Sequence, residues 1–234
     1  MLPQKQKIYK KVYDEARERL LGADIERQLN NAALQYEIGT GTFTISLPFF
    51  DETVSLTVPQ FAFRSAKGSN VTLVTKIVIL HYINTADGSP PGSSIVAYED
   101  IPGCRHYQPV FEKRVAKPLQ SAFGRDRYAF LDAGAAIGGK KEEYGDASIT
   151  LFALPRIPIT FILWEGDEEF RPLVRVLFDP SITGYLPLED IVVISKLAAS
   201  RILKAARKQH MEEEDYGLSI IFPFGSDKNL PITR

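Results

Sequence analysis

The chain has 234 residues, of which 44% are hydrophobic and 24% are charged, a composition close to that of an average globular protein. The 28 Lys and Arg nearly balance the 29 Asp and Glu, and the net charge is −1. This balance gives no electrostatic reason to expect a nucleic acid or an anionic membrane as partner. The chain is long enough for a substantial core, and no repeat or long linker divides it. We therefore expect one domain over residues 1–234.

The cysteine content limits the metal centres that this chain can build. Cys104 is the only cysteine, so the chain alone can form neither an internal disulfide nor a cysteine-ligated iron–sulfur cluster. The first residues, M-L-P-Q-K-Q-K, contain no apolar signal core, and the longest apolar runs are far too short to cross a bilayer. These features predict a cytoplasmic, soluble protein.

The first third of the chain predicts helix followed by strands. Residues 8–34 carry apolar side chains at every fourth position, with Gly22 as a break and Asp24 as the cap of a second segment. From residue 34 the apolar period becomes two, which predicts an antiparallel meander over residues 43–63. A buried helix should then follow over Val71–Ala86, capped by Ser69 or Asn70, although its β-branched residues make a strand a real alternative.

The remainder alternates between helical and extended patterns. The helical spacing of Tyr107–Phe123 contains Pro118, which must kink or restart the helix. The other expected elements are a short strand at Ile95–Tyr98, a glycine-rich loop at Gly134–Gly145, strands at Ser148–Ala153, Pro158–Trp164 and Val174–Phe178, a helix at Pro187–Lys208 and an edge strand at Leu218–Phe222. Since βαβ alternation is absent from this order, we predict an α+β fold with antiparallel sheets and N-terminal, central and C-terminal helices.

Several blocks of sequence resemble a domain-of-unknown-function family of anaerobic bacteria and archaea. The resemblance covers roughly residues 70–205. The blocks are His81-Tyr82 with Asp87-Gly88, Ile101-Pro102-Gly103 with the following Tyr107–Gly124 segment, Leu154–Pro158, Trp164–Phe170, and Tyr185-Leu186-Pro187 with Glu189-Asp190. The resemblance implies an anaerobic context, and some relatives are labelled as iron–sulfur proteins. This chain departs from those relatives because one cysteine cannot ligate a four-cysteine cluster. The resemblance carries over no catalytic residue.

An acidic turn between two apolar strands is the first candidate site. Glu165, Asp167, Glu168 and Glu169 lie around Gly166, directly after the only tryptophan, Trp164. Carboxylates at this density can hold a hard cation such as magnesium or calcium. The alternative is a solvated hairpin tip whose charges discourage edge-to-edge aggregation. Trp164 either lines a ligand pocket or packs in the core.

Two histidines form the second candidate site. His81 lies near the end of the predicted buried helix, and His106 opens the following one. Neutral imidazoles bind zinc or iron, and a carboxylate of the acidic turn could complete the ligand set. The alternative is a packed His81 and a surface His106. Cys104, beside Arg105 and His106, has neighbours that can lower a thiol pKa.

Three functions are compatible with these patterns. The first is an accessory module of anaerobic metabolism that binds a small molecule or a protein partner. The second is a metal- or carboxylate-dependent enzyme that uses the Trp164–Phe170 turn with His81 and His106. The third is a structural domain that oligomerises through an exposed strand edge such as Leu218–Phe222.

Overall fold

Two antiparallel sheets and a set of packed helices make up the fold. The computed structural model describes residues 4–92 and 94–221, except for the side chains of Lys5 and of residues 210–221. The helices are α1 (Gln4–Leu21), α2 (Ile25–Asn31), α3 (Leu73–Thr85), α4 (Gln108–Phe111), α5 (Lys117–Phe123), α6 (Arg127–Ala135) and α7 (Leu188–Ile221). The strands are β1 (Gln35–Gly39), β2 (Thr42–Phe49), β3 (Glu52–Val58), β4 (Ala62–Ser65), β5 (Val96–Ala97), β6 (Lys140–Glu142), β7 (Ala147–Leu154), β8 (Ile157–Trp164) and β9 (Leu173–Phe178).

The first sheet is the predicted meander. Its strands follow in chain order from β1 to β4, and each pairs antiparallel with the next. Alternate residues of β2 and β3 are buried, among them Ile45, Leu47 and Leu56, because one face of the sheet covers the core. Phe49 pairs with Glu52, so Phe50 and Asp51 alone form the turn between β2 and β3.

The second sheet has the strand order β5-β9-β8-β7-β6, with antiparallel pairing throughout. Nearly every residue of β7 and β8 is buried or half-buried, which explains their continuous apolar sequence. The pairing register of β7 shifts between Phe152 and Leu154. Ala153, between them, accepts a hydrogen bond through its carbonyl oxygen from the N–H of Phe50, at 3.1 Å. The two sheets therefore meet at the meander turn.

Helix α3 crosses the centre of the core and confirms the helical interpretation of residues 71–86. It begins after Thr72, whose hydroxyl accepts from the N–H of Thr75 at 3.2 Å, so the cap is neither Ser69 nor Asn70. Its middle is buried almost all round, as is typical of a core helix. Helix α1 packs against it, and the amide of Asn84 donates to the carbonyl of Ala16 at 2.8 Å.

Pro118 restarts its helix, as predicted. The segment Glu112–Ala116 between α4 and α5 is π-helical, and Pro118 lies in the first turn of α5. Proline has no N–H for the regular helical bond to the residue four positions earlier. A wide π turn just before Pro118 accommodates that missing donor, and the helical path continues to Phe123.

The second half of the chain departs from the predictions in four places. Helix α6 was not expected; Asp126 caps it by accepting from the N–H of Ala129 at 2.9 Å. Its end and strand β6 occupy much of the expected loop Gly134–Gly145. Helix α7 continues past Lys208 to Ile221, because residues 209–214 are mostly strong helix formers. Leu218–Ile221 are therefore helical and not an edge strand, and Phe222 lies outside the described residues.

One continuous cluster of buried apolar side chains draws on both sheets and on the helices. The α+β prediction is thereby confirmed, and the described residues form a single compact domain. None of the helices in the described ranges is both long and apolar enough to cross a membrane.

Candidate functional site

In the acidic turn, the Glu165 carboxylate contacts Arg127 at the start of helix α6. One of its carboxylate oxygens accepts from the N–H of Arg127 at 2.8 Å, and the other lies 3.7 Å from the Arg127 guanidinium. The N–H of Glu165 in turn donates to the carboxylate of Asp146 at 2.8 Å. The negative charge of Glu165 thus lies at the start of α6, where it interacts favourably with the partial positive charge of the helix N-terminus. Trp164, at the end of β8, is half-buried.

Asp167 shapes the turn itself. Its Oδ1 accepts from the N–H groups of Glu169 at 2.8 Å and Phe170 at 2.6 Å. These bonds favour the charged carboxylate and lower the pKa of Asp167. Glu168 and Glu169 have exposed side chains. Asp167 therefore stabilises the turn by accepting main-chain hydrogen bonds, and this role does not require a cation.

His81 contacts a carboxylate other than those of the acidic turn. Its Nδ1 lies 2.5 Å from Oδ2 of Asp190, a buried residue in the first turn of α7. The ring of Tyr82, the next residue, stacks on Tyr185 with centroids 5.6 Å apart. Two blocks of the family resemblance thus meet where α3 faces the start of α7.

The described residues do not join the acidic turn and the histidines into one centre. His106 is exposed on a 3₁₀ turn. Among the side chains that the structure describes, no three or more of His, Cys, Asp or Glu are grouped so that they could hold a metal ion. Ligand roles for His81, His106, Trp164 and the acidic-turn carboxylates stay predictions. They would have to act at separate places.

Cys104 is buried, with 1% of its surface exposed. Burial raises the pKa of its thiol, and the nearby charge of Glu189 adds to that effect, whereas a hydrogen bond with the Tyr98 hydroxyl opposes it. The raised pKa disfavours the thiolate that a nucleophile requires. Neighbouring Arg105 and His106 therefore do not activate this cysteine.

A concave cleft of about 700 Å³ lies between the meander turn, the start of α3 and one face of α7. We call it the meander–α7 cleft. Its polar lining comes from Asp51, Glu52, Lys67, Ser69, Asn70, Thr72, Thr75, Ser200, Arg201, Lys204, Lys208 and Gln209. Its apolar lining comes from Val54, Val71, Ala136, Ile137, Leu197 and Ala205.

Arg201 is fixed in this cleft by charges and rings. Its guanidinium lies 3.2 Å from Glu52 and 3.7 Å from Asp51. The guanidinium carbon is also 4.4 Å from the ring centroid of Phe50 and 5.0 Å from that of Phe49, within the range of cation–π attraction. Two carboxylates and two rings thus hold Arg201 in one orientation.

The cleft carries an excess of positive charge. Lys67, which pairs with Asp51, joins Arg201, Lys204 and Lys208, so positive side chains outnumber the two negative ones by two among the lining residues. The spacing of Arg201, Lys204 and Lys208 places them on one face of α7. Interaction with a nearby helix end does not account for these basic residues, because α7 continues past them to Ile221.

Comparison with known proteins identifies a family without indicating an activity. A family model described as a domain of unknown function (DUF3786) matches residues 24–201. The match begins before the meander, whereas the resemblance read from the sequence began near residue 70. No curated protein and no solved structure matches the chain. With 178 of its 234 residues matched (201 − 24 + 1), the chain belongs to the DUF3786 family of domains of unknown function.

Proposed function

We propose that the protein is a small-molecule-binding module whose ligand is an organic anion bound in the meander–α7 cleft. The observation that carries this proposal is the convergence of cationic side chains from the β4–α3 loop and from α7 around one cleft. The resemblance read from the sequence supports an accessory role of this module in anaerobic metabolism, and we propose that it acts in the cytoplasm.

The dimensions and lining of the cleft fit such a ligand. A volume of about 700 Å³ lies within the range of small-molecule sites, which combine apolar walls with a few polar anchors. Val71, Ile137 and Leu197 supply apolar surface for the body of the ligand. The hydroxyl of Ser200 can donate a hydrogen bond to its oxygens, whereas the Ser69 hydroxyl already donates to the Glu52 carboxylate at 3.3 Å and the Thr72 hydroxyl lies 3.0 Å from that of Thr75.

The cations have different roles in this proposal. Arg201 is held by Asp51 and Glu52, so it is preorganised and loses little freedom when a ligand binds. Lys204 is exposed at the rim and would pair with the anionic group. Because Asp51 and Glu52 offset part of the positive charge, a ligand of modest negative charge fits better than a polyanion such as a nucleic acid.

Isothermal titration calorimetry tests the proposal with phenyl phosphate, citrate and ADP as probes at about 0.1 M salt, where surface charges are partly screened. We expect saturable binding of at least one probe and a loss of about tenfold or more with Lys204→Glu. The matched control is Lys196→Glu, an exposed position of the same helix outside the cleft. Failure of all three probes, or equal effects of the two variants, would contradict the proposal.

The oligomerisation alternative loses the strand edge that was named as its example, Leu218–Phe222, because Leu218–Ile221 are helical. The enzyme alternative relied on a joint site of the acidic turn with His81 and His106, and the hydrogen bonds of His81 and Asp167 lead to different partners. The binding function is therefore the one that the geometry supports best.

A further inference from the structure

A second, smaller pocket lies between α1, α3 and the start of α7. Its volume is about 210 Å³, and no residue that lines it also lines the meander–α7 cleft. His81 and Asn84 contribute polar groups from α3, Glu15 and Arg19 lie on α1, and Val12 and Pro187 add apolar walls. We call it the His81 pocket.

The imidazole of His81 has one nitrogen committed and one available. Nδ1 lies 2.5 Å from the carboxylate of Asp190, which accepts hydrogen bonds and therefore favours the tautomer with the proton on Nδ1. Asp190 is itself fixed, with its N–H donating to the carbonyl of Pro187 at 2.9 Å. In that tautomer, Nε2 is a hydrogen-bond acceptor of defined direction.

Asn84, which also lines this pocket, has a buried side-chain acceptor without a partner among the described residues. It is 7% exposed, and its amide group donates to the carbonyl of Ala16 at 2.8 Å. Its Oδ1 is buried and has no hydrogen-bond partner within the described part of the chain. A buried acceptor without a donor is costly. A donor supplied by a bound molecule would remove that cost.

Two charged residues of α1 also line the pocket. Arg19 and Glu15 are exposed and lie one helical turn apart on α1. A carboxylate can pair with the Arg19 guanidinium in a strong, charge-assisted contact. Val12 and Pro187 also line the pocket and provide apolar surface for a short hydrocarbon backbone.

The geometry points to a site for a small carboxylic acid that carries a hydrogen-bond donor beside its carboxylate, either a hydroxy acid or an amino acid. The carboxylate contacts Arg19, and the hydroxyl or amino group donates to His81 Nε2 or Asn84 Oδ1. This site is independent of the anion proposed for the meander–α7 cleft, and either could exist without the other.

Imidazole NMR tests the inference directly, because the chain has three histidines and His106, exposed elsewhere, serves as an internal reference. The probes are L-lactate, L-alanine and propionate, which keeps the carboxylate but lacks the donor. We expect lactate or alanine to shift the His81 resonances saturably and to leave the His106 resonances unchanged. We expect propionate to bind at least about tenfold more weakly than the active acid. The acid that produces the shift identifies the donor as hydroxyl or amino.

Matched variants on α1 complete the experiment. Arg19→Gln should weaken binding of the active acid about tenfold or more, whereas Lys7→Gln, an exposed position of the same helix outside this pocket, should leave it unchanged. Both positions are exposed, so both variants should fold. The inference is wrong if neither acid shifts His81 at up to roughly 50 mM, if propionate binds equally well, or if Arg19→Gln has no effect.

Discussion

Phe50 has a backbone conformation that bulky residues rarely adopt, with φ at 55°. The two-residue turn between β2 and β3 requires a positive φ, which Asn or Gly usually provides. Such strain costs about 1–3 kcal/mol. The Phe50 ring offsets it by packing edge-on against Phe49 at 4.9 Å and beneath the guanidinium of Arg201. The aromatic residue at this turn therefore belongs to the architecture of the cleft.

Replacement of Arg201 by methionine should lower the free energy of unfolding by about 2 kcal/mol. The Glu52 side chain, which is 12% exposed, would keep its charge and lose its cation. Urea denaturation measures the effect, with Arg207→Met as the control because Arg207 is exposed on the same helix. Adding Glu52→Gln to Arg201→Met should recover part of the loss. Equal destabilisation by the two single variants would contradict this account.

Asp167 should make stability depend on pH in the acid range. Its folded-state pKa is lowered below the ordinary value of 3.8 by the N–H groups of Phe170 and Glu169. Its contribution is therefore complete above about pH 4 and is lost as the pH falls through the folded pKa. The difference in unfolding free energy between the wild type and Asp167→Asn should shrink from about pH 5 to about pH 2. Glu168→Gln, which changes the net charge equally, should show no such trend.

At the scale of elements, the β8–β9 turn depends on a close approach of its backbone. The N–H of Gly166 donates to the carbonyl of Gly124 at 2.8 Å. A Cβ on Gly166 would lie 2.4 Å from Cδ and 2.7 Å from the backbone nitrogen of Pro172. Those distances leave no room for a side chain without displacement of the turn.

Gly166→Ala should accordingly reduce the free energy of unfolding by about 1–3 kcal/mol in urea denaturation. Gly39→Ala is the control, because a Cβ there would come no closer than 3.8 Å to a neighbouring atom. An unchanged Gly166→Ala midpoint would show that the turn can shift without cost.

The elements with a clear apolar period could be predicted from the sequence, and the others could not. The alternation in β2 and β3 and the apolar length of α3 reflect which side of each element faces the core. Helix α6 is short, and its small residues give no periodic pattern. The meander–α7 cleft escaped prediction because Asp51 and Arg201, 150 positions apart (201 − 51) in the chain, become neighbours only through the fold. His81 was singled out, but no sequence pattern pairs it with Asp190, 109 positions later in the chain.

At the scale of the whole molecule, the two sheets share one core, so they should unfold together. Trp164 fluorescence reports on the second sheet, and hydrogen exchange of peptides from β2 reports on the meander. We expect the same urea midpoint from both measurements. Two separate midpoints would instead indicate that the meander and the five-stranded sheet are independent folding units.

The register shift in β7 creates a hydrogen bond, between the Phe50 N–H and the Ala153 carbonyl, that can report on the cleft. It leaves the Ala153 carbonyl free to accept the N–H of Phe50, so the turn that faces Arg201 is tethered to the opposite sheet by a main-chain hydrogen bond. A ligand that binds Arg201 would alter how often this hydrogen bond breaks. The hydrogen-exchange rate of the Phe50 amide would then report whether the cleft is occupied. A displacement of the meander would also affect the hairpin of β7 and β8 through this hydrogen bond.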